Sequence, residues 1–202
     1  LPPAPAWSHA PPYLEALGFA PINAGLVHAD QLIVYQDFSQ GSSKRARYAR
    51  LCKRLHNIFG NATPLLPSSG GNVYIRRGAT GVSREIVNEQ SIIQDLSARG
   101  WTILDIATST VDEIQTALCR AQVVASIDGS HLDHAHLTLR PHSAMVVLMP
   151  QDRFSSRQLG VCRAHDVSIG MVILNRASRQ GYHLDMNELL RTVDLAQTSA
   201  LC

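Results

Sequence analysis

The stretch that decides the fold is "VVASIDGSHLDHAH", residues 123–136. Its first five residues are almost continuously apolar. Such a run is short for a helix and lacks the alternation of a half-exposed strand, so it reads as a strand buried on both faces. Glycine 129 breaks the run, and a helical pattern opens near Ser130. Three histidines and two aspartates crowd residues 126–136, which invites a metal site. Helical geometry argues against one. His131 and His134 lie one turn apart, but His136 points away from His134, because two residues turn a helix by about 200°. HxxxH spacing is absent as well, so no metal is expected. The segment is a strand-turn-helix corner.

The same grammar continues on either side of it. A strand over 73–76 precedes a helix from 84 to 98. That helix has Ser83 as its N-cap, Ile86, Ile93 and Leu96 near one face with Ile92 beside them, and Gly100 as its stop. A strand follows over 102–106. Thr110 and Glu113 then have capping-box spacing and open a helix that turns Ile114, Leu118 and Ala121 inward. After the histidine segment, which Pro141 ends, come a strand over 144–149, a helix over 156–165, a strand over 168–174 and a helix from Asp185. Strands alternating with helices, the strands nearly all apolar, define an α/β, Rossmann-like parallel sheet with helices on both faces.

The N-terminal third reads differently. Residues 1–30 are Pro-rich, 32–35 form one strand, and 44–59 form a helix capped by Ser42 or Ser43. Leu51, Leu55 and Ile58 share one face of that helix. Lys44, Arg45, Arg47, Arg50, Lys53 and Arg54 make the rest basic, as a solvated face or as a wall toward an anionic ligand. "PLLPSSGG" is a linker, so the division is a partial N-terminal region 1–63, a linker 64–71 and a Rossmann-like domain 72–202.

Composition bounds the function. The 202 residues are 45% hydrophobic, enough for a real core, and the net charge of +2 is too small to argue for nucleic acid. The longest apolar run, 144–149, is far too short for a membrane span. The start, "LPPAPAWSHAPP", lacks an initiator Met and the order of a signal peptide, as a fragment, a processed chain or a trimmed one would. The four cysteines are scattered and read as small apolar residues.

In doubly wound sheets ligands bind beyond the carboxyl ends of the strands, which selects the loops 76–84, 128–131 and 150–156. The first, "RRGATGVSR", offers Arg76, Arg77 and Arg84, whose planar guanidinium forks match phosphate oxygens. It has neither GxGxxG spacing nor a Walker lysine. The alternative is that one arginine faces solvent and another pairs with a carboxylate. In the second loop Gly129 and Ser130 suit close backbone approach to a ligand, and His131 can donate to a phosphate. Asp128 would repel a phosphate. It is a helix cap, a partner for a sugar hydroxyl, or a base. His134 and His136 read as packing or surface residues. The glycine pattern of a serine-hydrolase elbow is absent, so a hydrolase is not expected.

Residues 72–151, "NVYIRRGATGVSREIVNEQ" through "HSAMVVLMPQ", resemble glycosyltransferase family 61. This family includes bacterial capsular-polysaccharide transferases and eukaryotic protein- and polysaccharide-glycosylating enzymes. The resemblance rests on the strand ending in Arg76-Arg77, on Arg84 followed by Asn88-Glu89, on the helix over 110–121 and on the strand opening onto a glycine turn. It covers about residues 70–155 well and 20–60 loosely. Where many members carry His-Gly-Ala-Gly-Leu followed by Asn, this chain has Asp128-Gly129-Ser130-His131-Leu132-Asp133-His134, which reads as a subfamily form.

The resemblance implies half of a two-domain GT-B transferase that moves a sugar from a nucleotide diphosphate sugar, a UDP-sugar foremost, to a glycan or other hydroxyl acceptor. It implies inversion, no metal and no further cofactor, in polysaccharide biosynthesis such as capsule assembly. Residues 72–202 would hold the donor through Arg76, Arg77, Arg84, Glu89, Gly129 and Ser130, with Asp128 and His131 catalytic. Residues 1–63 would be an acceptor-side segment, the rest missing, degenerate or supplied by a partner chain or a second copy. The compartment would be the bacterial cytoplasm, with the membrane periphery as an alternative, or the Golgi lumen of a eukaryote. The competing reading is a non-catalytic nucleotide-sugar or anion-binding module.

Overall fold

The computed structural model describes residues 9–20, 28–31, 33, 42–60, 71–78, 84–178 and 181–200. The strand expected over 32–35, nearly all of the 64–71 linker and the Ser83 cap lie outside the described residues. The chain runs α1 (Ala10–Ala16), α2 (Ser42–Gly60), β1 (Asn72–Arg76), β2 (Glu85–Ile86), α3 (Glu89–Ala98), β3 (Thr102–Asp105) and α4 (Val111–Leu118). It continues through β4 (Val123–Ile127), a 3-10 turn at Ser130–Leu132, α5 (Asp133–His136), β5 (Ala144–Pro150) and α6 (Arg157–Ala164). β6 (Ser168–Arg176), β7 (Gly181–His183) and α7 (Met186–Ala200) follow.

Seven strands make one sheet in the order β2-β7-β6-β5-β4-β1-β3. The neighbours β6-β5-β4-β1-β3 are parallel, so the Rossmann-like α/β expectation holds. β7 departs from the all-parallel expectation by pairing antiparallel to β6, with β2 parallel beyond it. From β1 the chain passes through β2 at the far edge and α3 to reach β3 beside β1, then recrosses to place β4 on the other side of β1. That reversal opens a crevice at the carboxyl ends of β1 and β4, where Ile75 pairs with Ser126.

Pleating explains the two cores. Val123, Ala125 and Ile127 of β4 face α3 and α7, packing with Leu96, Leu189 and Val193. Val124 faces the opposite side with Ile114, Leu118, Leu132 and Cys162 of the covering helices. Thr110 caps α4 through the Glu113 N–H, and Glu113 returns a bond to the Thr110 N–H at 2.8 Å, the expected capping box. Outside α4 lies a third cluster, in which Leu55 and Phe59 of α2 meet Val111 and Cys119. The apolar face expected of α2 is therefore used. Among the described residues no helix is long and apolar enough to cross a membrane.

The helix expected over 84–98 is a correction. Glu85 and Ile86 are extended because they pair with Gly181 and Tyr182 of β7. The Asn88 amide then bridges Leu184, donating to its carbonyl at 2.8 Å and accepting from its N–H at 3.1 Å. Tertiary pairing thus holds these residues out of the helix, which begins at Glu89. Gly100 ends it as expected, at φ 80°. α5 stops at His136, ahead of Pro141, and His142 beyond it sits at φ 64°.

Leu118 is fully buried beneath α4, whereas Leu195 of α7 is 64% exposed. Leu118→Ala should cost about 2–5 kcal/mol and Leu195→Ala less than about 0.5 kcal/mol in urea denaturation. Equal losses would contradict the packing of α4 on the sheet.

Candidate functional site

The crevice between β1 and β4 gathers the residues of all three selected loops. The two arginines after β1 take different routes. Arg76 pairs with Glu89 at 3.3 Å and with Asp105 at 3.5 Å, while Glu89 also accepts from the Tyr74 hydroxyl at 3.0 Å. Burial, then Glu89, raises the Tyr74 phenol well above its ordinary pKa. Arg76 and Glu89 thus tie the start of α3 to β1 and β3, as the alternative reading of the pair supposed. Arg77 turns instead toward Arg84, Arg153 and Asp128. Burial, then the charges of Arg84 and Arg153, lower its pKa, and Asp128 opposes them.

Arg84 enters from the start of β2 and is nearly buried. One of its terminal nitrogens donates to the Asp128 carbonyl oxygen and lies 3.3 Å from the Asp128 carboxylate. Its Nε is buried and meets no acceptor among the described residues. Asp128 is 7% exposed, and its second carboxylate oxygen accepts from Gln158 of α6 at 3.2 Å. A carboxylate at the end of a central strand therefore does not face a phosphate unscreened, because Arg84 neutralises it. Asp152, beside Arg153, is taken by Arg176 and by the Tyr182 hydroxyl at 2.7 Å. The cluster Arg77, Arg84 and Arg153 consequently holds a positive surplus over Asp128.

Gly129 stands where no side chain fits. A Cβ there would come within 2.8 Å of the His131 ring and 3.6 Å of Arg77 Nε. Ser130 is exposed at the head of the 3-10 turn. His131 folds beneath it, with Nε2 2.7 Å from Ser126 Oγ. That hydroxyl donates to the Ile75 carbonyl at 2.6 Å, so its proton is committed and His131 must be the donor through Nε2–H. Burial, then Arg77, His134 and Arg84, push the His131 pKa down to about 3.

The three histidines diverge. His134 Nδ1 accepts from the Tyr13 hydroxyl of α1 at 2.6 Å, and burial, then His9, push its pKa down to about 4. His136 meets Gln158 Oε1, and burial lowers its pKa. Two participants escaped the sequence reading. Arg153 lies in a selected loop but was not singled out within it. Gln158, which bridges Asp128 and His136, left no signal, because a glutamine at a helix start has no distinctive pattern.

The family model described as Glycosyltransferase 61 matches residues 2–146. No curated protein matches the chain. Among 19 matching chains of solved structures is a flavo di-iron protein variant from Thermotoga maritima, 9% identical, with a TM-score of 0.45. The alignment covers 78% of this chain and 41% of that one. Another is a CMP N-glycosidase from Clostridium botulinum, 14% identical, with a TM-score of 0.37, covering 61% of this chain and 98% of that one. Both likenesses are too distant to carry a functional argument. The family match spans well over half of the 202 residues, and the chain belongs to glycosyltransferase family 61. Arg153 and Gln158 lie beyond the matched residues.

The depressed histidines set a pH dependence. Unfolded histidine titrates near 6.5, whereas folded His131, His134 and His136 stay neutral to lower pH. Their contribution is complete above about pH 6.5 and is lost as pH falls toward the folded pKa values, by up to about 1.4 kcal/mol per pH unit each. The urea midpoint should drop between pH 7 and 5, and His134→Gln should flatten that slope. A midpoint independent of pH would show that the histidines are not held neutral.

Proposed function

We propose that this member of family 61 moves a glycosyl group from a nucleotide diphosphate sugar, a UDP-sugar foremost, to a hydroxyl of a glycan or other acceptor, with inversion and without a metal. The observation that carries the reading is the Arg84–Asp128 pair at the carboxyl ends of β1 and β4, with the charge of Arg77 beside it and that of Arg153 beside Arg77. Residues 72–202 form the donor unit in this reading and 1–63 contribute on the acceptor side. Polysaccharide biosynthesis is the context that the family suggests.

The reaction asks for two things. As the acceptor oxygen bonds to the anomeric carbon, the bond from that carbon to the diphosphate oxygen breaks, and the departing electron pair leaves negative charge on the diphosphate. Arg77 and Arg153 supply compensating charge beyond the Arg84–Asp128 pair, in place of the charge that a divalent cation would otherwise supply. Arg76 and Glu89 brace this wall from behind. The bare backbone at Gly129 and Ser130 lets the diphosphate approach closely. The second requirement is a base for the acceptor proton. His131 is too weakly basic for that work at neutral pH and serves to position the turn, with its Nε2–H held on Ser126. Asp128, paired with Arg84 and hydrogen-bonded by Gln158, is the base of this reading.

Arg77→Ala and Arg153→Ala should each weaken UDP binding by about 1.5–3 kcal/mol in calorimetric titration. Arg153 is exposed, so its variant tests the site without a cost to folding. Unchanged affinity in both would remove the phosphate assignment. Asp128→Asn should leave UDP affinity equal or higher while transfer drops by about 100-fold or more. Lost UDP affinity would instead make Asp128 only the holder of Arg84. Treatment with EDTA should leave transfer from the UDP-sugar unchanged, and UDP bound without any transfer to a panel of acceptors would favour a binding module.

A further inference from the structure

The basic face of α2 and the side of α6 enclose space that the donor reading does not use. A groove of about 750 Å³ runs between α2, α5 and α6. Arg45, Arg157 and Arg163 line it against one carboxylate, Asp133. That carboxylate is already spent on Arg157, whose terminal nitrogen reaches its two oxygens at 3.0 and 2.7 Å. Arg45 and Arg163 are exposed and form no ion pair among the described residues. The groove also has an aromatic wall, in which the rings of Tyr48 and His165 lie 4.5 Å apart at 50°. Beyond His165 a second groove of about 510 Å³ continues along α2, adding Lys53 and Arg140 and no carboxylate.

We propose that these two grooves form one track for an acidic glycan, an oligosaccharide bearing carboxylates along its length. Guanidinium forks match carboxylates in geometry, and an aromatic face suits the C–H side of a pyranose ring. Positive charge recurring through two joined grooves suits a repeating anion better than a single ion. The track also lies next to the proposed reaction centre. His136 lines the larger groove and meets Gln158, and Gln158 donates to Asp128 at 3.2 Å. Two buried side chains, His136 and Gln158, therefore separate the glycan track from the carboxylate assigned as base. Calling this glycan the acceptor rests on the transferase reading, whereas its binding does not.

The test is titration of the purified chain with a short oligogalacturonate and with its methyl ester, which keeps the sugar rings and removes the charge. UDP is titrated in parallel. The acid form should bind at least about tenfold tighter than the ester and weaken with added salt. Arg163→Ala and Lys53→Ala should each weaken the acid form by about fivefold and leave UDP affinity unchanged, so loss of fold is excluded. Equal binding of acid and ester, or binding of UDP with no binding of the acid form, would overturn the glycan track alone. Binding of the acid form without UDP would keep the track and remove the diphosphate reading. Single-stranded RNA that binds more tightly than the glycan and displaces it would also overturn the proposal.

Discussion

A carboxylate buried at the end of a central strand needs a counter-charge, and the corner around Asp128 is organised by that need. Left alone, the ionised group would carry a desolvation penalty of several kcal/mol. Arg84 meets it twice, through the backbone carbonyl and the carboxylate, and Gln158 satisfies the other oxygen. Arg84 stands there directly ahead of β2, whose extended residues pair with β7. The late start of α3 and the ion pair are thus two consequences of one path. Such a pair adds little net stability, since its Coulombic gain is set against desolvation of both partners. What it specifies is position: it holds one guanidinium at the corner, with its Nε meeting no acceptor among the described residues.

Much of this was legible in the sequence where a pattern has a physical period. The run 123–127 announced a doubly buried strand, Thr110 and Glu113 announced a helix start, and Gly100 a helix end. Those signals are local and survive burial. Strands β2 and β7 are only two and three residues long, shorter than any periodicity can reveal, and β2, at the edge, exists because it pairs with the distant Gly181 and Tyr182 of β7. The same limit applies at the site. Arg76 and Arg77 are adjacent and chemically equivalent in the sequence, and only the positions of Glu89 and Asp105 decide that the first is spent on carboxylates. Gln158 became visible only once α6 was laid against β4.

The divergence of the histidines has a common cause. Each sits on a different side of a short turn of helix, and each is given a neutral partner: Ser126, Tyr13 or Gln158. A protonated ring at His131 would add a further positive charge beside Arg77 and Arg84. The arginine surplus and the neutral histidine therefore support each other, since a cationic His131 would repel the groups that give the crevice its sign.

Magnitude decides how far that coupling extends. An anion lodged among the arginines would relieve the Coulombic part of the His131 depression, but burial is its larger cause. Desolvation does not change when a ligand arrives at the mouth of the crevice, and closing the site would increase it. His131 consequently stays neutral with and without ligand, donating through Nε2–H to a hydroxyl whose own proton is fixed on the β1 backbone. Such a residue holds geometry and carries no charge through the reaction. That leaves the carboxylate of Asp128, held by Arg84 and Gln158, as the group to which the proposed reaction assigns the acceptor proton.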